Sequence, residues 1–271
     1  MPELPEVETT VRGVRPVVTG RLITAVIVRQ RQLRWPVPHR LGRILRGQKV
    51  QSVSRRAKYI LLNFSHGTLM IHLGMSGRLR VMPADTLVEK HDHVDLVLDS
   101  GKALRFHDPR RFGSVLWTKG GIQNSTLLKR LGPEPFDDAL TGDVLHRLSR
   151  GRRTSIKQFI MDAKVLVGVG NIYASESLFR AGIRPGRAAG RVSLSQFQRL
   201  LDAIRKVLSE AIDAGGTTLR DYAQASGEPG YFEQSLDVYE RAGAACVNCG
   251  SPIRRKVIGQ RASYYCPQCQ F

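Results

Sequence analysis

From residue 20 to residue 119 the apolar positions come in short runs: Leu22–Val28, Tyr59–Phe64, Thr68–Leu73, Arg78–Met82, Val94–Leu98 and Ala103–Phe106. Runs of this length, rich in branched side chains, predict strands. Asp99-Ser100-Gly101 separates two of them and predicts a hairpin. Many short strands with local turns predict a β-sandwich. Past Gly132-Pro133-Glu134-Pro135 and the acidic pair Asp137-Asp138, which read as a linker, the period changes. Phe197, Leu200, Leu201, Ile204, Val207, Leu208, Ala211 and Ile212 recur at helical spacing, with Ser193 or Ser195 as N-cap and Gly215-Gly216 as the stop. A second helix is expected from Asn171, as its cap, to Arg180, ending at Gly182. At the start of the chain, Leu4, Val7, Val11 and Val14 form an apolar stripe, and Pro5 with Glu6 and Glu8 suits a helix start.

The fold class is therefore α+β, in four segments: 1–133 rich in strands, 134–151 as linker, 152–240 helical, and 241–271 bearing the cysteines. Within 217–232 the run Gly227-Glu228-Pro229-Gly230 predicts a mobile loop.

Charge changes the picture. With 42 Lys and Arg against 23 Asp and Glu, the formal charge is +19, which favours a polyanionic partner. The cations lie in separated clusters (Arg29, Arg31, Arg34; Arg55, Arg56, Lys58; Arg110, Arg111; Arg150, Arg152, Arg153; Arg254, Arg255, Lys256). A basic tail would concentrate them; a binding surface assembled from several segments would not. The longest uncharged stretch, Tyr59 to Gly77, is broken by Asn63, Ser65, His66, Gly67 and His72, whereas a membrane helix needs about 20 predominantly apolar residues. The acidic start lacks the basic segment and apolar core of an export signal. No membrane association is expected, and a cytoplasmic location is.

Cys246-x-x-Cys249 and Cys266-x-x-Cys269, sixteen residues apart, have the spacing at which two tight turns close four thiolates around one structural Zn²⁺. Between them lies a β-hairpin turning near Gly259-Gln260 and carrying four basic side chains, Arg261 beside the turn. Zinc would make so short a unit rigid, and a rigid basic hairpin suits a nucleic-acid groove.

Pro2 follows the initiator methionine, whose removal leaves a secondary amine. An α-amino group has a pKa near 7.7 to 8.0, against about 10.4 for lysine, so roughly a tenth is free base at pH 7. Attack of such an amine on a sugar C1′ gives an iminium that is cationic without a proton and acidifies the neighbouring carbon, which prepares an elimination. Glu3 and Glu6 stand close enough in sequence to act as general acid or electrostatic partner. Taken alone, the same residues are simply a helix start, Lys58 before the apolar run Tyr59–Leu62 is a surface lysine, and Met75 and Phe112 are core. His91 and His93 alternate as a metal pair on a strand would, with no third ligand evident nearby.

PELPEVE, RRAKY at 55–59, HLGMSG at 72–77, HDHVD at 91–95, DPRRFG at 108–113, GVGNIYASE at 168–176 and the cysteine pairs occur together and in order over residues 2–269. In this combination the chain resembles the bacterial formamidopyrimidine-DNA glycosylases. The resemblance implies an N-terminal β-sandwich with flanking helices, a helical helix-two-turn-helix domain, and a zinc-binding β-hairpin, with damaged double-stranded DNA held between domains. It implies base-excision repair of oxidised purines, 8-oxoguanine and formamidopyrimidines, by a bifunctional glycosylase and abasic-site lyase working through β,δ-elimination. Pro2 would then be the Schiff-base nucleophile, Glu3 the proton donor, Lys58 the aid to β-elimination and Arg261 to δ-elimination. His91, Arg110 and Arg153 would hold phosphates, and Met75, Arg110 and Phe112 would fill the gap left by the extruded nucleotide. Asn171, following Gly168-Val169-Gly170, would open a helix whose amides receive a phosphate. The enzyme is expected to be a monomer associated with the nucleoid through DNA.

Two rival readings remain on sequence. Endonuclease VIII shares the nucleophile and zinc finger and prefers oxidised pyrimidines, but its start usually reads PEGPE, whereas Leu4 stands here in the third place of that pattern. A non-enzymatic zinc-ribbon protein would explain the basic surface and leave the N-terminal chemistry unexplained.

Overall fold

The computed structural model describes residues 2–216 and 236–271; the loop expected within 217–232 lies outside them. Two compact units emerge, one built on the chain up to Arg130, the other on Leu131–Asp213 and the C-terminal stretch ending at Phe271.

The first unit opens with helix α1 (Leu4–Val18), whose Val7, Val11, Val14 and Val18 are fully buried. Two antiparallel four-stranded sheets follow. One has the order β1 (Ile23–Val28), β6 (Asp92–Leu98), β7 (Lys102–His107), β5 (Arg78–Pro83); the other has β2 (Ser52–Arg56), β3 (Tyr59–Phe64), β4 (Gly67–His72), β8 (Ser114–Lys119). Alternation decides which face goes inward. On the first sheet Leu79, Val94, Leu96, Leu104 and Phe106 enter the core. Arg80, Asp95 and Arg105, in register across β5, β6 and β7, share the opposite face. Ile60, Leu62, Leu69, Ile71 and Val115 of the second sheet, the α1 valines, and Leu41 and Leu45 of the short helix α2 (Leu41–Leu45) complete that core. This is the β-sandwich with flanking helices.

The second unit holds α3 (Gly142–Ser149), α4 (Ile156–Met161), α5 (Asn171–Arg180), α6 (Leu194–Asp213) and the hairpin β9 (Arg254–Ile258) and β10 (Arg261–Tyr265). For α6 the cap is Ser193: its hydroxyl accepts the Gln196 N–H at 3.3 Å, and the Gln196 side chain accepts the Ser193 N–H at 3.0 Å, a reciprocal capping box. The expected cap of α5 is corrected by one residue. Gly170 is in the extended cap conformation and Asn171 is the first helical residue. The stretch read as a linker is fastened down here, because Arg205 of α6 donates to the carbonyls of Pro135, Asp137 and Leu140 at 2.8 to 3.0 Å.

Candidate active site

Pro2 is buried and immediately precedes the capped end of α1. Glu3 occupies the N-cap in extended conformation, and its N–H donates to the Glu6 carboxylate at 2.7 Å, closing a capping box. Both carboxylates are buried. The helix start and the chemical motif are thus the same residues: the cap fixes Glu3 beside Pro2 and engages Glu6 in holding it.

Lys58 sits in the two-residue turn between β2 and β3, flanked by the pair Arg56 and Tyr59. Its neighbour Ala57 has φ of 53°, a left-handed conformation that a side chain with a Cβ takes at a cost of roughly 1 to 2 kcal/mol. Such strain persists where the surroundings over-determine it. Here Arg55 does so, donating to the Ala57 carbonyl at 2.9 Å and to Glu8 of α1 at 3.0 Å. Arg15 of α1 also reaches the Val53 carbonyl at 3.0 Å. The helix that carries Glu3 and the turn that carries Lys58 are therefore tied together at two points.

The HLGMSG and DPRRFG segments dovetail. A Cβ on Gly74 would lie 2.5 Å from the Phe112 carbonyl carbon and the Gly113 nitrogen, so only glycine permits this approach. Asp108, fully buried, accepts from the Ser76 hydroxyl and the Gly113 N–H, both at 2.8 Å. The loop so anchored holds Met75 and Phe112 outward at 39% and 45% exposure, contrary to a core reading of either. The Arg110 guanidinium lies 4.8 Å above the Phe112 ring, a cation–π stack. Beside them Arg34, His72, Gly74, Met75, Arg111 and Phe112 line a cavity of about 540 Å³.

His72 had no role in the sequence reading. Burial, Lys58 and Arg34 together push its pKa down to about 4, and its Nδ1 accepts the Gly74 N–H at 2.9 Å. It is thus neutral at pH 7, with the proton on Nε2. Burial of this kind leaves no trace in local sequence.

His91 follows the loop before β6; its carbonyl accepts the Asp108 N–H at 3.0 Å, and its ring lies 5.8 Å from that of His107. The His91 and His93 rings do not form a metal pair: His93 Nε2 is engaged with the Asp108 carbonyl at 2.8 Å. Glu89, Asp92 and His107 do cluster with ligand atoms close together. The charge they present is already matched, by Arg105 to Asp92 at 3.3 Å and Asp95 at 3.0 Å, by Arg80 to Asp92 at 3.6 Å, and by His107 Nδ1 on Asp92 at 2.9 Å. Burial alone would raise the Asp92 pKa, but the Glu89 N–H, His107 and Arg105 bring it below the usual carboxylate value.

In the second unit Arg153 is exposed just before α4. Asn171 brings its amide nitrogen within 3.5 Å of the Tyr239 hydroxyl, and its buried Oδ1 has no hydrogen-bond partner among the described residues. Glu176, on the same helix, accepts the N–H groups of Asp237, Val238 and Tyr239 at 2.8 to 3.1 Å; burial foremost raises its pKa. The sequence reading missed both Tyr239 and this carboxylate, because the partners lie over sixty residues apart.

Cys246, Cys249, Cys266 and Cys269 converge, with Sγ separations of 3.9 Å (Cys246 to Cys269) and 3.4 Å (Cys249 to Cys266). Four sulfurs about 2.3 Å from a central ion would stand roughly 3.8 Å apart, so the set fits one tetrahedral zinc. It leaves no open coordination position.

The chain is similar to known proteins along its whole length. Residues 1–115 match the formamidopyrimidine-DNA glycosylase N-terminal domain, 131–223 its H2TH domain, and 243–270 the zinc finger found in such glycosylases and isoleucyl-tRNA synthetase. A formamidopyrimidine-DNA glycosylase of Alkalilimnicola ehrlichii is 59% identical, and one of Alcanivorax borkumensis 58%, each over the whole of both chains. The chain belongs to the formamidopyrimidine-DNA glycosylases. Members of this family are bifunctional, joining glycosylase to abasic-site lyase, and the non-enzymatic zinc-ribbon reading falls. The crystal structure of the MutM (Fpg) protein of Thermus thermophilus covers 99% of this chain and 98% of its own, with TM-score 0.89 and 38% identity. The Lactococcus lactis Fpg complex with DNA containing an abasic site covers 99% of each, with TM-score 0.91 and 31% identity. This formamidopyrimidine-DNA glycosylase is a DNA-binding enzyme of base-excision repair, and its finger binds one zinc ion.

Proposed function

We propose that this glycosylase excises 8-oxoguanine and formamidopyrimidines from duplex DNA through a Schiff base on Pro2 and cuts the strand by β,δ-elimination. The observation that supports this best is the placement of Pro2 and Glu3 at the capped end of α1, the helix tied through Glu8 and Arg55 to the turn of Lys58. The Pro2 nitrogen bonds to C1′ as the base departs with the electron pair of the glycosidic bond and takes up the proton the amine gives up. Glu3 then gives a proton to the sugar ring oxygen, whose bond to C1′ breaks to open the ring and leave the iminium. Loss of a C2′ proton, aided by Lys58, then breaks the bond from C3′ to its phosphate oxygen, which leaves with the electron pair. Loss of the C4′ proton, aided by Arg261, expels the phosphate on C5′ in the same way, and water frees Pro2.

His91, Arg110, Arg153 and the start of α5 at Asn171 would hold phosphates. Met75, Arg110 and Phe112 would occupy the gap in the stack, offsetting part of an unstacking cost of a few kcal/mol. Zinc, once bound, stiffens the β9–β10 hairpin and supplies no reacting group. In support of the lesion class, a Lactococcus lactis Fpg mutant has been crystallised on DNA containing Fapy-dG. The wild-type Lactococcus lactis enzyme has also been crystallised on DNA containing an oxidised pyrimidine, so a side activity on such lesions is part of the test. The same reading has the enzyme monomeric and cytoplasmic, at nucleoid DNA, with domains 1–133, 152–240 and 241–271.

Borohydride reduction during turnover of duplexes carrying 8-oxoguanine, formamidopyrimidine or thymine glycol should trap a cross-link, fastest on the two purine lesions, and peptide mapping should place it on residue 2. A cross-link on Lys58 would overturn the nucleophile; fastest trapping on thymine glycol would overturn the lesion class.

A further inference from the structure

Arg261 is the first residue of β10, directly after the turn Gly259-Gln260 in which both residues have positive φ, 56° and 62°. Such a turn matches the twist of the paired strands and fixes the direction in which the next side chain leaves. The turn is itself fixed against α4. A Cβ on Gly259 would meet Nε2, Cδ and Cγ of Gln158 at 2.5, 2.8 and 3.0 Å, so the Gln158 side chain lies flat against the backbone of the turn. Gln158 is held in its place by Ser155, the N-cap of α4, which accepts the Gln158 N–H at 3.2 Å and donates its hydroxyl to Oε1 at 2.9 Å. On the other side of Arg261, buried Lys157 donates to the Ala262 carbonyl at 3.0 Å and the Ser263 hydroxyl at 2.8 Å. The backbone before Arg261 and the backbone after it are thus both gripped by the first turn of α4.

We propose that Ser155 and Gln158 form a bracket that sets the reach of Arg261, which makes Gln158 a positioning residue for δ-elimination. The proposal rests on the reading that Arg261 assists that step. Arg261 itself is exposed, and a long side chain at a hairpin tip has no placement except what its backbone gives it. Removing the C4′ proton and expelling the C5′ phosphate is the later of the two strand-breaking steps, so imprecision at the tip delays it without touching the formation of the bond at C1′. Misplacement by about 1 Å costs up to a hundredfold in rate where geometry is demanding.

The test resolves end groups after reaction with an abasic-site duplex: an unsaturated aldehyde marks β-elimination alone, a phosphate marks β,δ-elimination. Gln158→Ala should lower the ratio of δ to β product by about threefold or more while borohydride trapping keeps its wild-type rate. Gln158→Glu, which retains the bulk and the acceptor for Ser155, should restore the ratio. If Arg261→Ala leaves the ratio unchanged, the reading of Arg261 fails and the bracket with it. If Arg261→Ala stops at β-elimination but Gln158→Ala matches wild type, Arg261 stands and the bracket is overturned. Parallel slowing of trapping and both eliminations in Gln158→Ala would mean general loosening and would equally overturn it.

Discussion

Two glutamates stand near the nucleophile, and their places at the start of α1 separate them. Each carboxylate accepts the other residue's backbone N–H in the capping box, and of the two it is Glu3 that directly follows Pro2. Protonation by a positioned acid contributes about 10²–10⁴-fold, and only excision of a base from an intact nucleotide needs it. Glu3→Gln should therefore lose excision at least tenfold more than cleavage of a preformed abasic site; equal losses on both substrates would remove the assignment. His72 makes a prediction of another kind. With its pKa near 4 in the folded state, as burial, Lys58 and Arg34 dictate, and about 6.5 in the unfolded chain, the unfolded state takes up the proton first as pH falls between these values. Stability is then lost on acidification through that window, by about 2 kcal/mol between pH 7 and pH 5. Urea unfolding without DNA should show this loss in the wild type and a smaller one in His72→Gln. An unchanged pH dependence in the variant would mean that His72 titrates normally.

At the scale of elements, the zinc knuckles do not stand apart. Cys246 and Cys266 are buried in one small cluster with Phe179 of α5, Val238 and Ile253, so the metal ties the hairpin into the helical unit. Cys249→Ser should release zinc, weaken duplex binding and lower protection of α5 amides from hydrogen exchange, while the sandwich keeps its own. Zinc loss with unchanged DNA affinity would show that the contacts of Lys157 and Gln158 hold the hairpin unaided. The six strands expected in the sandwich are present because each carries an alternating or buried apolar run that local residues specify. The strands that went unseen, β2 and β8, are the outer ones of their sheet, and α2 has five residues, too few to show a period. The site divides likewise. Motif residues such as Pro2, Glu3, Lys58 and the cysteines are visible in the chain, whereas the neutral state of His72, the grip of Glu176 on 237–239 and the outward pose of Met75 and Phe112 arise from partners remote in sequence.

For the molecule as a whole, the charge of +19 overstates what DNA meets. Arg29 is paired with Asp95, Arg55 with Glu8, and Arg180 with Glu210 and Asp237, while Arg105 is buried between Asp92 and Asp95. Two of the basic clusters read as binding surface are thus partly structural. The cations that remain exposed include Arg110, Arg111, Arg152, Arg153, Arg254, Arg255, Lys256 and Arg261, enough to neutralise about six phosphates, each releasing close to one counterion. Affinity for undamaged duplex should then fall with salt along a log–log slope near −5. Arg153→Ala should reduce the steepness by about one and weaken damaged and undamaged duplex equally, since a phosphate contact carries no information about the base. Arg110 is different, because its guanidinium stacks on Phe112 beside Met75; Arg110→Ala should cost more on an abasic-site duplex than on an intact one. Equal penalties from Arg110→Ala on the two duplexes would reduce Arg110 to one more phosphate contact. A slope shallower than about −2 in the wild type would mean that the exposed cations are not what holds the DNA.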